Sequence, residues 1–227
     1  MAGVIFDFNG TLFEDADKQV AAWQAFAIAH RGQALTPVEF DQHVHGQNNP
    51  MTLRYLLGRE LTAEEVATLS EDKERRYRQL CREDATNFHL RPGAVTFFER
   101  LKQAGIPMTI ATASGPRNLD FFFEAFDLAK WFDRDQVVYD DGTLASKPAP
   151  DAFLKAAANL GCQPQHTVVF EDSLSGIAAG IAAGSIVVGV QTKGDQAAIA
   201  QDPRLSAVIQ AYTDDSPYLN AAFIKTL

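Results

Sequence analysis

Four short segments of this 227-residue sequence carry side chains that could do chemistry, and each lies near the end of an apolar run. In chain order they contain Asp7 with Asn9, then Thr112, then Lys147, and last the acidic pair Glu171 and Asp172. Phosphoryl transfer requires a nucleophile, a hydroxyl, a cation and paired acids, because the reaction depends mainly on positioning and on neutralising charge. The set therefore predicts a phosphoryl-transfer site.

Oxygen ligands for a metal ion are present among the same side chains. Mg²⁺ prefers oxygen and usually binds through one or two acids together with substrate phosphate and water. Asp7 and Asp172 could supply those acids. The Lys147 ammonium, the Thr112 hydroxyl and backbone N–H groups could then neutralise the phosphoryl oxygens. Magnesium is the predicted cofactor.

Each of these residues has an ordinary structural explanation when it is taken singly. Asp7 could cap a turn, Lys147 could be a surface lysine, and an acidic pair is favoured at the start of a helix. These explanations do not require complementary charges to fall at four strand ends. The combination favours a functional site.

A fold that brings strand ends together is predicted by the rest of the sequence. Five apolar runs rich in β-branched residues alternate with helical periodicity, which is typical of parallel strands joined by crossover helices. The runs cover residues 4–8, 107–111, 136–139, 167–170 and 185–190. Helices are predicted over residues 94–104, 151–160 and 174–183, each followed by a glycine. The prediction is an α/β sheet whose strand ends converge on one crevice.

A helical insertion follows the first apolar run. Roughly a hundred residues separate the first two runs, far more than a crossover needs, and capping boxes begin at Thr36 and Thr62. An apolar helix stripe, interpreted as core, consists of Val20, Trp23, Phe26 and Ala27. The charge-rich residues 71–78 are interpreted as a solvated helix face. We predict a core domain of residues 1–14 and 86–227 with a helical domain of residues 15–85 inserted in it.

In order and spacing, the four segments resemble the motifs of the haloacid dehalogenase superfamily of hydrolases over nearly the whole chain. The resemblance implies a Rossmann-like parallel sheet core. The helical insertion is similar to the cap of the branch that contains phosphoglycolate phosphatase, β-phosphoglucomutase and phosphonatase. The implied activity is that of a phosphatase, a phosphoric monoester hydrolase, with a small phosphorylated metabolite such as a sugar phosphate as substrate.

The resemblance also implies roles for particular residues. Asp7 matches the nucleophile, which attacks a phosphomonoester and forms a transient aspartyl phosphate that water hydrolyses. Thr112 matches the phosphate-binding serine or threonine of the family, and Lys147 matches its motif lysine. The implied ligands of Mg²⁺ are Asp7, the backbone carbonyl of Asn9, Glu171 and Asp172. The predicted substrate-binding residues are Gly10, Ala113 and Ser114 in the core domain and His45, Gly46 and Gln47 in the helical domain.

Asn9 departs from the pattern of the family. Phosphotransferring members usually carry a second aspartate at this position as general acid and base, and an amide has no proton to give near neutral pH. Acid–base help is commonly worth about 10²–10⁴-fold, so we expect slow turnover of sugar phosphates. Substrates with acidic leaving groups should be turned over relatively faster. A histidine in a predicted loop of the helical domain, His43 or His45, is the alternative source of the missing acid.

Other functions fit the same sequence less well. A β-phosphoglucomutase-like phosphotransferase is disfavoured by Asn9, and because Gln19 and Asn49 stand where that enzyme has histidine and arginine in its cap. A phosphonatase needs a Schiff-base lysine in the cap, and Lys18, interpreted as a surface charge, is the one nearby candidate. A non-catalytic or very weakly active phosphometabolite-binding protein stays open because of Asn9. A phospho-receiver domain would carry its motifs in a different order.

Composition limits the partners and the location. The 20 basic and 29 acidic residues give a net charge of −9, which disfavours binding to nucleic acid or to an anionic lipid surface. No run of the sequence approaches the roughly 18 apolar residues of a membrane span. Two cysteines without a metal-binding pattern are expected to be buried thiols. We expect a cytoplasmic protein that is a monomer or a weak dimer.

Overall fold

The computed structural model describes residues 1–44, 47–192 and 196–227. The chain divides into two compact units. The core unit comprises Met1–Glu14 and His89–Leu227, and the helical unit comprises Asp15–Phe88. The return to the core unit comes three residues later than the predicted position 86. The reason is local, because the backbone N–H groups of Asn87 and Phe88 both donate to the Asp84 carbonyl and keep this turn with the helical unit.

The core unit contains one parallel five-stranded sheet, which confirms the predicted α/β, Rossmann-like fold. The strands are β1 (Gly3–Phe6), β2 (Met108–Ile110), β3 (Thr167–Glu171), β4 (Ile186–Val190) and β5 (Ala207–Ile209), in the spatial order β2-β1-β3-β4-β5. Val4 is in register with Met108 on one side and Val168 on the other. Every residue of β1 and β3 is buried, as expected for a sheet with both faces covered.

Ten α-helices lie in the described residues. In the helical unit they are α1 (Ala16–Arg31), α2 (Pro37–His43), α3 (Asn49–Leu57) and α4 (Ala63–Glu83). In the core unit they are α5 (Ala94–Ala104), α6 (Pro116–Ala125), α7 (Asp151–Asn159), α8 (Leu174–Ala182), α9 (Gln196–Ala200) and α10 (Ala221–Ile224). The predicted helix of residues 94–104 is confirmed, whereas α7 and α8 each end one residue earlier than predicted.

One predicted strand is wrong and one strand was missed. The run of residues 136–139 forms no strand, and within it Val138 makes only an isolated parallel bridge to Ala111. This run follows a 3₁₀ turn, Arg134–Gln136, and leads at once into the turn at Gly142, so it is too short to extend the ladder. The missed strand is β5, whose three residues at the sheet edge carry little periodic signal.

Aromatic packing determines where the chain leaves β1. The strand ends at Phe6 rather than at the predicted residue 8. The Phe6 ring stacks on Phe170 of β3 with centroids 5.3 Å apart, and the Phe8 ring stacks on Phe122 of α6 at 4.2 Å. Both rings are fully buried. The intervening residue, Asp7, is therefore held between two anchored side chains at the end of the strand.

The helical unit begins its helices as the sequence predicts. Thr36 and Thr62 each accept a hydrogen bond from the backbone three residues later, and Glu39 and Glu65 complete both capping boxes. The predicted stripe is buried at Trp23, Phe26 and Ala27, but Val20 is 38% exposed.

Two charged positions of the helical unit are buried against expectation. Lys18 is only 4% exposed, and its ammonium donates to Asp84 at 2.9 Å, so it is not a surface charge. Within the predicted solvated face, Lys73 and Tyr77 are buried. Lys73 donates to Gln19 at 2.6 Å, and Tyr77 donates to Asp15 at 2.5 Å. These partners, together with Asp17 for Lys18 and Glu74 for Lys73, allow the polar groups to be buried, since buried charges need hydrogen-bonded partners.

No helix within the described ranges is long and apolar enough to cross a lipid bilayer.

The two thiols are predicted to be unreactive in the folded protein. Cys81 and Cys162 are free and buried, and burial raises the pKa of the Cys81 thiol to about 12. Because the thiolate is the nucleophile, Ellman's reagent at pH 8 should modify neither cysteine on the time scale on which denatured protein gives two equivalents. Rapid release of chromophore by native protein would contradict this assignment.

Candidate active site

Asp7 lies at the carboxyl end of β1, between β2 and β3 in the sheet. The backbone N–H of Asp7 donates to the Phe170 carbonyl at 3.0 Å, which continues the pairing of β1 with β3 by one residue. The Asp7 side chain is 8% exposed. Because β1 is flanked by parallel strands on both sides, the residues after β2 and β3 reach the same edge of the sheet.

Lys147 connects Asp7, which follows β1, to Glu171 at the end of β3. Its ammonium donates to Asp7 Oδ1 and to Glu171 Oε2, both at 2.7 Å. Burial alone would lower the pKa of Lys147, but the two carboxylates outweigh it and hold the pKa above its ordinary value. The lysine is therefore a permanent cation. It lies in the loop before α7 and not at a strand end, because the strand predicted before it does not form.

Glu171 is the last residue of β3 and is held on both carboxylate oxygens. Oε2 accepts from Lys147, while Oε1 accepts from the backbone N–H groups of Asp172 and Ser173 and from the Ser173 hydroxyl. Gly176 in the first turn of α8 makes room for this carboxylate, since a Cβ there would lie 2.0 Å from the Glu171 carboxyl carbon. The geometry assigns Glu171 to holding Lys147. Its role as a metal ligand stays a prediction.

Asp172 is joined to the loop that follows Asp7. The Thr11 hydroxyl donates to Asp172 Oδ1 at 2.9 Å. Gly10 adopts a φ of 81°, and a Cβ on it would lie 1.9 Å from Asp172 Oδ2. Only glycine combines this backbone conformation with so close an approach. The loop and the acidic pair are therefore built against each other.

The acidic side chains form a group that can hold a divalent cation. Carboxylate oxygens of Asp7, Glu171 and Asp172 lie within 4.8 Å of one another. One ammonium, that of Lys147, is paired with two of them, so three carboxylates and one cation leave an excess of two negative charges. The donors are all oxygen, which suits a hard cation such as Mg²⁺. The residues present therefore fit the metal ion that the sequence predicts.

Two hydrogen bonds join Asn9, Ser114 and Thr112, one from the Ser114 side chain and one from its backbone. The Ser114 hydroxyl donates to Asn9 Oδ1 at 2.7 Å, and the Ser114 N–H donates to Thr112 Oγ1 at 3.1 Å. The bond from Ser114 directs the amide oxygen of Asn9 towards the Thr112 loop, so the amide nitrogen is on the opposite side of the group. Asn9 can thus offer N–H donors but has no acidic proton.

The remaining predicted residues are not all part of this cluster. Ala113 lies between Thr112 and Ser114 and is exposed, and Gln47 is an exposed residue of the helical unit. His45 and Gly46 lie outside the described residues. His43 is the last residue of α2, where its ring stacks on Tyr55 with centroids 3.7 Å apart. A loop position was expected for it, and the helix extends through it instead.

Two residues of the site were not predicted as part of it. The sequence pattern predicts no role for Thr11, which follows Gly10, or for Gly176. The run from Ser173 to Gly176 carries a weak signal, because a serine cap that is followed by a glycine in the first turn leaves space beside the cap. Nothing in the sequence says that a carboxylate fills that space.

Comparison with known proteins gives consistent matches. Residues 1–184 match the family model described as haloacid dehalogenase-like hydrolase. Hexitol phosphatase A of Escherichia coli is 29% identical over 91% of this chain and 88% of its own length. A β-phosphoglucomutase of Mycobacterium bovis is 28% identical over 87% and 84%. The crystal structure of a HAD hydrolase, family IA, variant 3, from Entamoeba histolytica is 33% identical with a TM-score of 0.89, and covers 99% of this chain and 100% of its own.

The space left by Gly176 is predicted to be necessary for the site. Gly176→Ala should displace the Glu171 carboxylate and with it the ammonium of Lys147, and should lower phosphatase activity by about 10-fold or more, as loss of a supporting shell does. Gly115→Ala is the matched control, since its Cβ would meet no atom nearer than 3.9 Å. Steady-state kinetics and thermal melting of both variants test this. Equal activity in the two variants would contradict the assignment.

Proposed function

Because the chain belongs to the haloacid dehalogenase-like hydrolase family and is a phosphoric monoester hydrolase, we propose that it is a Mg²⁺-dependent phosphatase that acts through an aspartyl phosphate on Asp7. The observation that supports this most directly is the buried group of Asp7, Lys147 and Glu171 with Asp172 beside it. It combines the Asp7 carboxylate at the end of β1 with a fixed cation and a second acid.

In the first step the Asp7 carboxylate acts as nucleophile. One of its oxygens forms a bond to phosphorus, and the bond from phosphorus to the substrate oxygen breaks. Lys147 holds Oδ1 at 2.7 Å, which fixes the plane of the carboxylate before substrate arrives. This is the positioning contribution, which removes much of the entropic cost of bringing the reactants together.

In the second step water attacks the aspartyl phosphate. Its oxygen bonds to phosphorus, the bond from phosphorus to Asp7 breaks, and inorganic phosphate and the free carboxylate result. Asn9 cannot take the proton of this water or give one to the leaving alkoxide. The alkoxide released in the first step must therefore take its proton from solvent, and the acidity of the corresponding alcohol determines the rate of that step. Slow hydrolysis of alkyl phosphates follows.

Charge on the transferring phosphoryl group is neutralised by groups at the same edge of the sheet. Thr112 is buried, and its hydroxyl can donate to a phosphoryl oxygen while accepting from Ser114. Lys147 supplies a full positive charge that does not titrate near neutral pH. When bound, Mg²⁺ would supply further charge neutralisation. The residues that would hold it are Asp7, the backbone carbonyl of Asn9, and Asp172, with Glu171 in support.

The substrate that we propose is a small phosphorylated carbohydrate. Relatives named hexitol phosphatase and β-phosphoglucomutase support this class. We further propose that the helical unit is the cap domain expected from the family.

A phosphomutase-like phosphotransferase is the second candidate. It is favoured by similarity to β-phosphoglucomutase over 87% of the chain and opposed by Asn9, which cannot protonate a sugar leaving group. A binding protein with little or no turnover is favoured by the same amide. The two substitutions below separate these functions from phosphatase activity.

Asp7→Asn is predicted to abolish phosphate release. The amide is a poor nucleophile, so activity with p-nitrophenyl phosphate and Mg²⁺ should fall by at least about 10³-fold. Intact-mass spectrometry of unmodified protein quenched in acid should show a phosphoryl adduct that hydroxylamine removes and that Asp7→Asn lacks. Unchanged release by Asp7→Asn would refute the nucleophile, and tight ester binding with no turnover of any ester would support a binding protein.

Asn9→Asp is predicted to raise activity most for poor leaving groups. A carboxylic acid at this position can protonate an alkoxide, so the gain should reach about 10²-fold for hexitol phosphates and stay small for p-nitrophenyl phosphate. Ser114→Ala serves as the matched control, because it alters the neighbour of Asn9 without adding an acid. An equal gain for both classes of leaving group would be the contrary result. Isomerisation of β-glucose 1-phosphate by the sequence as it stands would favour the phosphotransferase.

A further inference from the structure

Arg91 is a buried arginine that donates hydrogen bonds to the loop after Asp7. It lies in the core unit just after the chain returns to it, and is 6% exposed. Its Nε and Nη2 both donate to the Gly10 carbonyl oxygen, at 3.0 and 2.7 Å. Its Nη1 donates to the Gln210 carbonyl at 3.0 Å and lies 3.7 Å from the Glu14 carboxylate.

The guanidinium therefore joins two loops at the carboxyl edge of the sheet. Gly10 belongs to the loop after β1, and Gln210 is the first residue after β5. The backbone of the same arginine adds a third tie, since the Arg91 N–H donates to the Leu12 carbonyl at 2.8 Å. A buried cation is costly unless it is well paired. The three hydrogen bonds of this guanidinium and its ion pair with Glu14 therefore indicate a specific arrangement.

The Asn9–Gly10 peptide is held in one orientation by its surroundings. The Gly10 N–H donates to the Phe13 carbonyl at 2.7 Å, and in a planar trans peptide the Asn9 carbonyl must then point in the opposite direction. The next peptide is held at its carbonyl by Arg91, and the Thr11 hydroxyl binds Asp172. The loop is thus fixed between a guanidinium on one side and a carboxylate on the other.

We propose that Arg91 is a positioning residue for the metal site: by holding the Gly10 carbonyl, its guanidinium keeps the Asn9 backbone carbonyl directed for Mg²⁺ binding. This inference rests on the proposed function, because it assumes that Asn9 and Asp172 bind the ion. Lysine cannot reproduce this arrangement, because arginine presents three separate nitrogens in a fixed planar fork, two of them to the Gly10 carbonyl and one to the Gln210 carbonyl.

Direct binding of Mg²⁺ tests this proposal without relying on turnover. In isothermal titration calorimetry with Mg²⁺ alone, Arg91→Lys should raise the dissociation constant by about 10- to 100-fold. Excess Mg²⁺ should restore kcat in large part, with KM for p-nitrophenyl phosphate within about twofold of the unsubstituted value, because the phosphate-binding residues are untouched. Arg204→Lys, the same change at an exposed arginine paired with Asp202, should leave Mg²⁺ affinity unchanged.

Two further variants separate positioning from general stability and from the metal site itself. Leu160→Ala removes a buried side chain of the core and should lower Tm without weakening Mg²⁺ binding. Asp172→Asn should lose Mg²⁺ binding. If Asp172→Asn loses it and folded Arg91→Lys retains the original affinity, the role of Arg91 is overturned and the proposed function stands. If Asp172→Asn also retains that affinity, both the metal site and the role of Arg91 fall.

A measurement on the unsubstituted protein covers the case in which Arg91→Lys does not fold. The side-chain Nε–H of Arg91 donates to Gly10, so its NMR resonance should shift as Mg²⁺ is added and should saturate at the calorimetric affinity. The Nε–H of Arg204, which donates to Asp202, should not shift. An Arg91 resonance that does not respond to saturating Mg²⁺ would overturn the proposal.

Discussion

The ammonium of Lys147 shared between Asp7 and Glu171 is the interaction on which the site depends. Two carboxylates buried at one sheet edge would repel each other, and one cation 2.7 Å from both offsets that repulsion. Removing one partner of such a group leaves an unpaired buried charge, which is costly. The lysine that joins Asp7 to Glu171 comes from a loop distant from both in the sequence.

Close backbone packing is the second constraint, and it explains the two glycines of the site. Gly10 lets the loop after β1 pass against the Asp172 carboxylate, and Gly176 lets α8 start against the Glu171 carboxylate. A side chain at either position would occupy the space of a carboxylate. Arg91 then holds the loop from its other side through the Gly10 carbonyl. The short loop after β1 is thus held by a guanidinium at the Gly10 carbonyl and by a carboxylate at Thr11.

Asn9 connects this architecture to the chemistry. Ser114 orients its side-chain amide, yet the amide carries no proton to transfer. Under the proposed mechanism, binding and nucleophilic attack by Asp7 need no proton from Asn9, whereas acid–base assistance does. In such a site the acidity of the leaving group, rather than the fit of the phosphate, should decide which esters are hydrolysed quickly.

Local pattern was enough to predict the α/β core, the capping boxes at Thr36 and Thr62, and the residues at the ends of β1 and β3, because caps and buried strands depend on residues near in sequence. The short run at residues 136–139 misled, since pairing with a neighbour decides whether a short apolar run becomes a strand. Only the tertiary structure decided that Lys18 and Lys73 are buried and that Arg91 donates hydrogen bonds to Gly10. A buried charged side chain needs hydrogen-bonded partners, and folding supplies the distant ones: Asp84 for Lys18, Gln19 for Lys73 and Gly10 for Arg91.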